Sequence, residues 1–423
     1  MAFDFTLTPE QERVRGLCRE LAADFATRAA RHDADRSVAT ENIDLLRDAG
    51  LFGVGIPSEF GGAGIGTVGW IAAAEELARG DASTALGFNM HVVATSATTE
   101  RAAIPDDTKK RVAALAIEDG ALMCAPLSEP ASSSLLPSTF VPTVRAVRED
   151  GGYRLRGRKM FASYFEASEY AYFYAHPEDE PDPRAAIGML LPTRQDGITV
   201  KDVWDTHGMR ATASNQVDID GAFVPDDLVL YRTGDFLSAF LIENAHRSFG
   251  GYTACYLGVG AGMVDWAAEH LGTRKGKGFA QEIGYHPTVS AAVGEAVVAL
   301  ESARLMLYRA AWQADAHGPS LETFHWFLRA KLAVGRAVQE IATRLTVAGG
   351  LNSLFKNQAY ERMLRDAATA PIMPPNSLAC GEMVGLLSMG LDPAQAPSLR
   401  PLEETLADPM AAAGTASAMR PTT

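Results

Sequence analysis

The sequence predicts an α+β protein in which one small β-domain lies between two helical regions. Three observations support this prediction: apolar residues recur at helical spacing in the first third, short alternating segments fill the middle third, and long helical patterns return in the last third. At 423 residues the chain is too long for one ordinary core. Two or three packed domains are therefore expected.

The first domain, residues 1–121, is predicted to be all-α. Thr8 can cap a helix that starts at Pro9, and Gln11 can complete a capping box. The residues that follow place one apolar face on this helix at steps of three and four: Val14, Leu17, Leu21 and Phe25. Further helices are expected over about residues 43–49, 68–78 and 107–119.

The second domain, residues 122–232, is predicted to be a small antiparallel β-domain. Its apolar segments are short and alternate, and Asp-Gly and Gly-Gly pairs separate them, which is typical of hairpins. The expected strands include residues 139–144, 153–157, 187–191 and 216–219.

The third domain, residues 236–392, is predicted to be a helical bundle. Long helical patterns cover residues 236–271, 288–316, 321–347 and 358–366. The first of these patterns contains a G-x-G-x-G run, whose spacing and helical context fit close helix packing and not a dinucleotide fingerprint: Gly258, Gly260 and Gly262. The tail, residues 393–423, is rich in Pro, Ala, Ser and Thr and is expected to be partly disordered.

Composition and charge argue against several classes of function. The net charge of −14 and the lack of a Lys/Arg-rich run argue against a nucleic-acid partner. The four cysteines are widely spaced, so neither a disulfide framework nor a zinc site is expected. The sequence shows no secretory signal and no stretch long enough to span a membrane. A cytoplasmic protein with no membrane partner and no bound metal is therefore expected.

Several short motifs follow one another along the chain. They read Ala-Pro-Leu-Ser-Glu-Pro-Ala-Ser-Ser-Ser at residues 125–134, Gly-Arg-Lys-Met-Phe-Ala-Ser at 157–163, Gly-Met-Arg-Ala-Thr-Ala-Ser at 208–214, Ala-Gly-Gly at 348–350 and Arg-Asp-Ala at 365–367. Each motif alone is weak, and the first is more often a simple polar loop. In this order, over roughly residues 5–390, they resemble the acyl-CoA dehydrogenase superfamily.

The resemblance implies that superfamily's three-part fold, with a C-terminal four-helix bundle, and a bound FAD. Leu127 and Ser128 would meet the pyrimidine edge of the flavin, and Ser134 would reach its pyrophosphate. Phe161 would take the place of the usual Trp beside the isoalloxazine. Ser163 would replace the Thr that bonds flavin N5, and its position two residues after Phe161 predicts that both side chains share one face of a strand.

The resemblance also implies a more distant part of the cofactor site. Arg274 falls where an Arg reaches the cofactor phosphate across a subunit boundary, a role that suits a guanidinium fork. A solvated helix end is the simpler alternative for this residue. Gly349 and Gly350 would approach the adenosine part of FAD. If Arg274 serves a neighbouring subunit, a monomer has a half-built site, so a homotetramer or at least a dimer is implied.

The chain departs from the superfamily at the catalytic base. Dehydrogenation of an acyl thioester requires a base for the α-proton while the β-hydride goes to flavin N5. The resemblance places this base at Pro374 or, in some relatives, at Ser248, and neither residue can act as one. The nearest alternatives in the sequence are Glu382, Glu243 and His246. None of them is assigned, so the catalytic residues are unknown.

Three functions remain open on the sequence. The first is an FAD-dependent oxidoreductase that desaturates an acyl thioester on CoA or a carrier protein, with a relocated base or a base-bearing partner chain and an electron-transfer flavoprotein as partner. The second is a monooxygenase that uses reduced flavin and O2, supplied by a separate flavin reductase. The third is a non-catalytic subunit paired with a Glu-bearing relative. Arg274 and the Gly-Gly turn favour the first.

Overall fold

The elements follow the predicted order of helices, strands and helices. A computed structural model describes residues 6–130, 142–234, 243–278 and 280–391. The first region contains α1 (Pro9–Asp35), α2 (Thr40–Asp48), α3 (Gly66–Gly80), α4 (Ala82–Thr99) and α5 (Asp106–Ile117). Ser134 and the tail 393–423 lie outside the described residues. The three domain boundaries stay predictions.

Helix α1 begins as the sequence predicts. The Gln11 backbone N–H donates to Thr8 Oγ1 at 3.3 Å, and the Thr8 N–H donates to Gln11 Oε1 at 2.9 Å, which is the reciprocal pair of a capping box. Helix α4, in contrast, is absent from the prediction. Nearly all of its residues are buried, so the helix has no polar face from which a helical period can be recognised.

The middle region forms one sheet in the order β6-β7-β3-β2-β4-β5-β8, with β1 paired to β4. Its strands are β1 (Met123–Cys124), β2 (Arg145–Glu149), β3 (Gly152–Ala162), β4 (Tyr170–Pro177), β5 (Ala186–Pro192), β6 (Ile198–Lys201), β7 (Asn215–Pro225) and β8 (Val229–Thr233). The pairing is antiparallel except where β4 runs parallel to β1 and β2.

The strand predicted at residues 139–144 is wrong in its described part. Residues 142–144 are not in a strand, and residues 139–141 lie outside the described residues. Strand β2 starts only at Arg145. Pro142 lacks a backbone N–H, so it cannot donate to a sheet ladder.

The last region is built from α6 (Ala245–Thr273), α7 (Pro287–His317), α8 (Leu321–Gly349), α9 (Ala359–Thr369) and α10 (Ser377–Ser388). Gly258 packs α6 against α3, because a Cβ there would lie 2.3 Å from the Glu75 carbonyl oxygen. A Cβ at Gly262 would lie 2.9 Å from Met363 Sδ in α9. This confirms close helix packing at these glycines. None of the described helices is long and apolar enough to cross a membrane.

The three regions meet at the turn that precedes β7. A Cβ at Gly208 would lie 2.2 Å from the Arg365 carbonyl oxygen, so only glycine allows this approach. The Met209 N–H donates to Asp366 Oδ1 at 2.6 Å, and Arg210 Nε donates to the Asp33 carbonyl at 2.9 Å. The Gly-Met-Arg and Arg-Asp-Ala motifs, far apart in sequence, therefore join the β-region to α9 and α1.

Candidate functional site

The loop at residues 125–130 lies against the end of β3. The Met160 N–H donates to the Ser128 carbonyl at 2.9 Å. Beside it, Lys159 Nζ donates to Glu129 Oε1, and both side chains are buried. This ion pair fixes the loop, since either partner alone would be an uncompensated buried charge. The structure thus brings Leu127 and Ser128 to the strand that ends near Phe161 and Ser163.

The prediction that the side chains of Phe161 and Ser163 share one face of a strand is wrong. Strand β3 ends at Ala162, and its pairing with β7 is irregular between Lys159 and Ala162. Phe161 itself has φ 55°, which interrupts the alternation of side chains. Its ring is 56% exposed and meets Trp204 edge-on, with ring centroids 6.0 Å apart. The result is an open aromatic surface at the strand end.

Ser163 belongs to a chain of hydroxyl groups. Ser163 Oγ lies 2.7 Å from Ser214 Oγ, which lies 2.7 Å from Thr212 Oγ1. Thr212 Oγ1 donates to the Met209 carbonyl at 2.8 Å. Because each hydroxyl has one hydrogen, Thr212 must accept from Ser214, and Ser214 must accept from Ser163. The Ser163 oxygen therefore keeps its acceptor capacity for a ligand.

Backbone strain is concentrated at the same place. Among the described residues, five non-glycine residues have positive φ, and four of them surround this hydroxyl chain: Phe161, Tyr164, Met209 and Ala213. The Tyr164 N–H donates to the Thr212 carbonyl at 3.1 Å, which ties the two strained turns together. Such strain persists only where the surroundings enforce it and is commonest at functional sites.

Arg274 and the Gly-Gly turn also come together. Arg274 follows the end of α6, and its Nη1 lies 3.1 Å from His270 Nε2. With the Asn352 amide turned to present its oxygen, that oxygen accepts from Arg274 Nη1 and Nη2 at 2.5 and 3.0 Å. His270 stacks on Trp266, with ring centroids 4.5 Å apart. Burial, and then the charge of Arg274, lower the pKa of His270.

The two glycines of the turn differ in their surroundings. A Cβ at Gly349 would lie 3.1 Å from the Trp266 ring and from Ser353 Cβ, so packing within the chain already explains this glycine. Gly350 has φ 61° and no atom within 4 Å of its Cβ position. Of the two, Gly350 is the one that offers open backbone to a ligand.

Neither of the two positions expected for a catalytic base holds an acidic residue. Ser248 and Tyr252 stand one turn apart on α6, and the Tyr252 hydroxyl donates to the Pro374 carbonyl. Ser248 Oγ donates to the Asn244 carbonyl at 2.8 Å. No carboxylate is therefore present at either position.

The alternative bases are placed elsewhere. His246 Nε2 lies 2.9 Å from Glu100 Oε2, and Arg247 contacts the same carboxylate. Glu243 pairs with Arg101, and Glu382 is exposed on α10. The contacts of His246 and Glu243 thus lie at Glu100 and Arg101 and not at Pro374. Across the described ranges, no group of three or more His, Cys, Asp or Glu side chains could hold a metal ion.

The residues present fit a flat heterocycle that carries a phosphate. The exposed Phe161 and the Ser163 oxygen suit the ring system, and the Arg274 fork beside Asn352 suits the phosphate. Sequence reasoning missed Trp204, Ser214 and Asn352. Ser214 is the last residue of the Gly-Met-Arg-Ala-Thr-Ala-Ser motif, but nothing in that motif indicates a hydrogen bond to Ser163.

The helical, β and helical regions each match a known domain family. Models of the acyl-CoA dehydrogenase N-terminal, middle and C-terminal domains match residues 8–116, 124–222 and 248–374. The chain therefore belongs to the acyl-CoA dehydrogenase family.

Relatives of known name fall into two groups. The short-chain specific acyl-CoA dehydrogenase of Clostridium acetobutylicum is 25% identical, over 87% of this chain and 95% of its own. The dibenzothiophene monooxygenase of Mycolicibacterium goodii is also 25% identical, over 87% of this chain and 91% of its own. The FMN-bound structure of TdsC from Paenibacillus sp. A11-2 superposes with a TM-score of 0.80 at 23% identity, over 89% of this chain and 97% of TdsC.

Proposed function

We propose that the protein is an FAD-dependent oxidoreductase that α,β-desaturates an acyl thioester on CoA or a carrier protein, in the cytoplasm. One observation carries the proposal. The Arg274 fork contacts Asn352, two residues after Gly350, and Gly350 has open space at its Cβ position. A dinucleotide flavin uses both features, and the named dehydrogenase relatives favour the same reaction.

The chain's own groups support hydride acceptance by a bound flavin, which would supply the two-electron acceptor. The Ser163 oxygen can accept a hydrogen bond from a ring N–H, because its own hydrogen is committed to Ser214. This contact favours the reduced ring over the oxidised one. Phe161 and Trp204 would cover one side of the ring and exclude water there.

The α-proton needs an acceptor that neither Pro374 nor Ser248 supplies. We propose that this acceptor is a relocated group of the chain or belongs to a partner chain. The electrons would then leave through an electron-transfer flavoprotein.

We also propose a homo-oligomer, a dimer or a tetramer. Large apolar side chains are exposed on α7 and at the end of α8, among them Val298, Val347 and Leu351. We infer that association covers these exposed side chains, because large exposed apolar patches mark interaction sites in soluble proteins. Arg274 contacts Asn352, which follows the exposed Leu351 in the chain, so association through this end of α8 can bring Arg274 to a neighbouring cofactor.

The test is an anaerobic titration of the FAD-loaded protein with acyl-CoA thioesters of varied chain length, followed by flavin absorbance near ~450 nm. Bleaching by a thioester, and none by CoA alone, is expected. Full absorbance with every thioester contradicts the proposal. Absence of any bound flavin would remove the cofactor assignment as well.

A second candidate is a monooxygenase that uses reduced flavin and O2. The observation in its favour is the lack of a carboxylate at both base positions, which removes α-proton abstraction and leaves flavin–oxygen chemistry intact. A relative named dibenzothiophene monooxygenase accords with it. This candidate predicts no bleaching by thioesters, and oxygen consumption only with NAD(P)H and a separate flavin reductase. A protein that does neither would be a non-catalytic subunit.

A further inference from the structure

Three buried side chains from three helices hold the carbonyl groups of one irregular segment. The segment, residues 370–375, connects α9 to α10 and includes the position where the superfamily keeps its base. The Tyr252 hydroxyl of α6 donates to the Pro374 carbonyl. Lys331 Nζ of α8 donates to the Ala370 carbonyl at 2.8 Å, and Cys380 Sγ of α10 donates to the Pro375 carbonyl at 3.3 Å.

Lys331 is unusual among these three donors because it is a cation in the core. Its side chain is only 1% exposed. Among the described residues, no ion pair includes its amine, and Cys380 is the one ionisable group that influences it. A buried ammonium without a partner is costly, and the core favours the neutral amine.

The groups around Lys331 do not change charge near neutral pH. Burial lowers the pKa of Lys331 to about 8, against a smaller opposing effect of Cys380. Burial raises the pKa of Cys380 to about 11. Burial also raises the pKa of Tyr252 well above its ordinary value, and that of Tyr256 likewise. Lys331 is thus the one member of this cluster that titrates between about pH 7 and 9.

We propose that Lys331 is a positioning residue of the candidate site, whose neutral amine keeps segment 370–375 closed and whose protonation loosens the segment. The sign follows from linkage. A lysine with a depressed pKa in the folded chain contributes stability above its unfolded pKa of roughly 10.5, and this stability is lost progressively as the pH falls from there to about 8, below which none of it remains. The segment is irregular and held by few bonds, so it is the part that yields first.

The importance of segment 370–375 for the reaction rests on the proposed function. Opening of the segment can be measured without any substrate. The amides of Ile372, Met373 and Ser377 donate to Thr369 or Pro371 carbonyls, so their hydrogen exchange reports opening of the segment.

The experiment is hydrogen exchange by mass spectrometry on the flavin-loaded full chain between pH 7 and 10, corrected for intrinsic exchange. In the wild type, protection of the segment is expected to stay constant below about pH 8 and to rise by up to about tenfold per pH unit above it. Lys331→Met removes the charge and should abolish this pH dependence. Lys331→Arg keeps the charge and should leave the protection of the segment low over the whole pH range. Lys356→Met, at an exposed position, should follow the wild type.

Two outcomes would overturn the inference. One is a wild-type segment whose protection does not change with pH. The other is a Lys331→Met variant that keeps the wild-type dependence. If Lys331→Arg does not fold, the comparison of Lys331→Met with Lys356→Met still decides. A failure of every thioester to bleach the flavin would reject the proposed function and leave this result unaffected.

Discussion

At the residue scale, the direction of three hydrogens decides what Ser163 can offer to a flavin. Thr212 gives its hydrogen to the Met209 carbonyl, so the two serines before it must each donate along the chain. The Ser163 oxygen is left as an acceptor, which suits a reduced ring that carries an N–H. The chemistry at Ser163 is therefore set by Ser214 and Thr212, which need not touch the cofactor.

We predict that Ser214→Ala lowers the flavin reduction potential. The variant frees the Ser163 hydrogen, which can then stabilise the oxidised ring. One neutral hydrogen bond is worth ~0.5–1.5 kcal/mol, and for two electrons ~1.4 kcal/mol corresponds to ~30 mV. A fall of ~10–30 mV is expected, measured by equilibration with a reference dye. Ser302→Ala, at an exposed site on α7, is the control. An unchanged or higher potential would show that Ser163 does not meet the ring N–H.

At the element scale, helix α1 is the clearest case of a successful prediction, with its cap and its apolar face both in the sequence. Helix α4 is buried almost all round and was missed, because it has no polar face to reveal a helical period. Helix α3 and strand β5 are buried to a similar extent, yet both were predicted, at residues 68–78 and 187–191. Burial on every side weakens the periodic signal, and composition and flanking turn residues then have to identify the element.

Residues of the candidate site divide in the same way. Leu127, Ser128, Phe161 and Ser163 lie in short motifs and could be named from sequence. The Lys331 cluster could not, because its three donors are on different helices and meet only after folding. Contacts between residues far apart in sequence leave no local pattern.

We predict that the tie between α4 and α6 is important for stability. Glu100, at the end of α4, pairs with His246 and Arg247 in the first turn of α6. Burial opposes its ionisation, but Arg247 and His246 outweigh burial and lower the pKa of Glu100 to about 2. Glu100→Gln leaves Arg247 buried and unpaired, which should cost ~3–5 kcal/mol of unfolding free energy in urea.

Two further variants test this explanation. Glu20→Gln, at an exposed position of α1, should leave the unfolding free energy unchanged. Adding Arg247→Met to Glu100→Gln should recover much of the loss, because the unpaired charge is then gone. A double variant as unstable as Glu100→Gln alone would mean that packing, and not charge, accounts for the effect.

At the scale of the whole molecule, the order of helical and β regions was sufficient to predict the architecture. The positions of the regions relative to one another depend on contacts that cannot be predicted from local sequence patterns. Gly208 against Arg365 and Met209 on Asp366 bring the β-region to α9. The Arg274 cluster forms separately, at the ends of α6 and α8. A cofactor that uses both parts would link them, either within one chain or between two.

We predict that flavin retention and association fail together. Val347 is 77% exposed near the end of α8, and Val347→Glu should weaken association by about tenfold or more, since a buried apolar contact becomes a charge. If Arg274 serves a neighbour, the sedimentation coefficient and the ratio of bound flavin to protein should fall in parallel. Val203→Glu, at a position that is 51% exposed in the β-region, should change neither the oligomeric state nor the flavin content.

Arg274→Ala should lose flavin and keep the oligomer, because it removes the phosphate partner alone. A Val347→Glu monomer with its full flavin content would mean that Arg274 reaches the cofactor of its own chain.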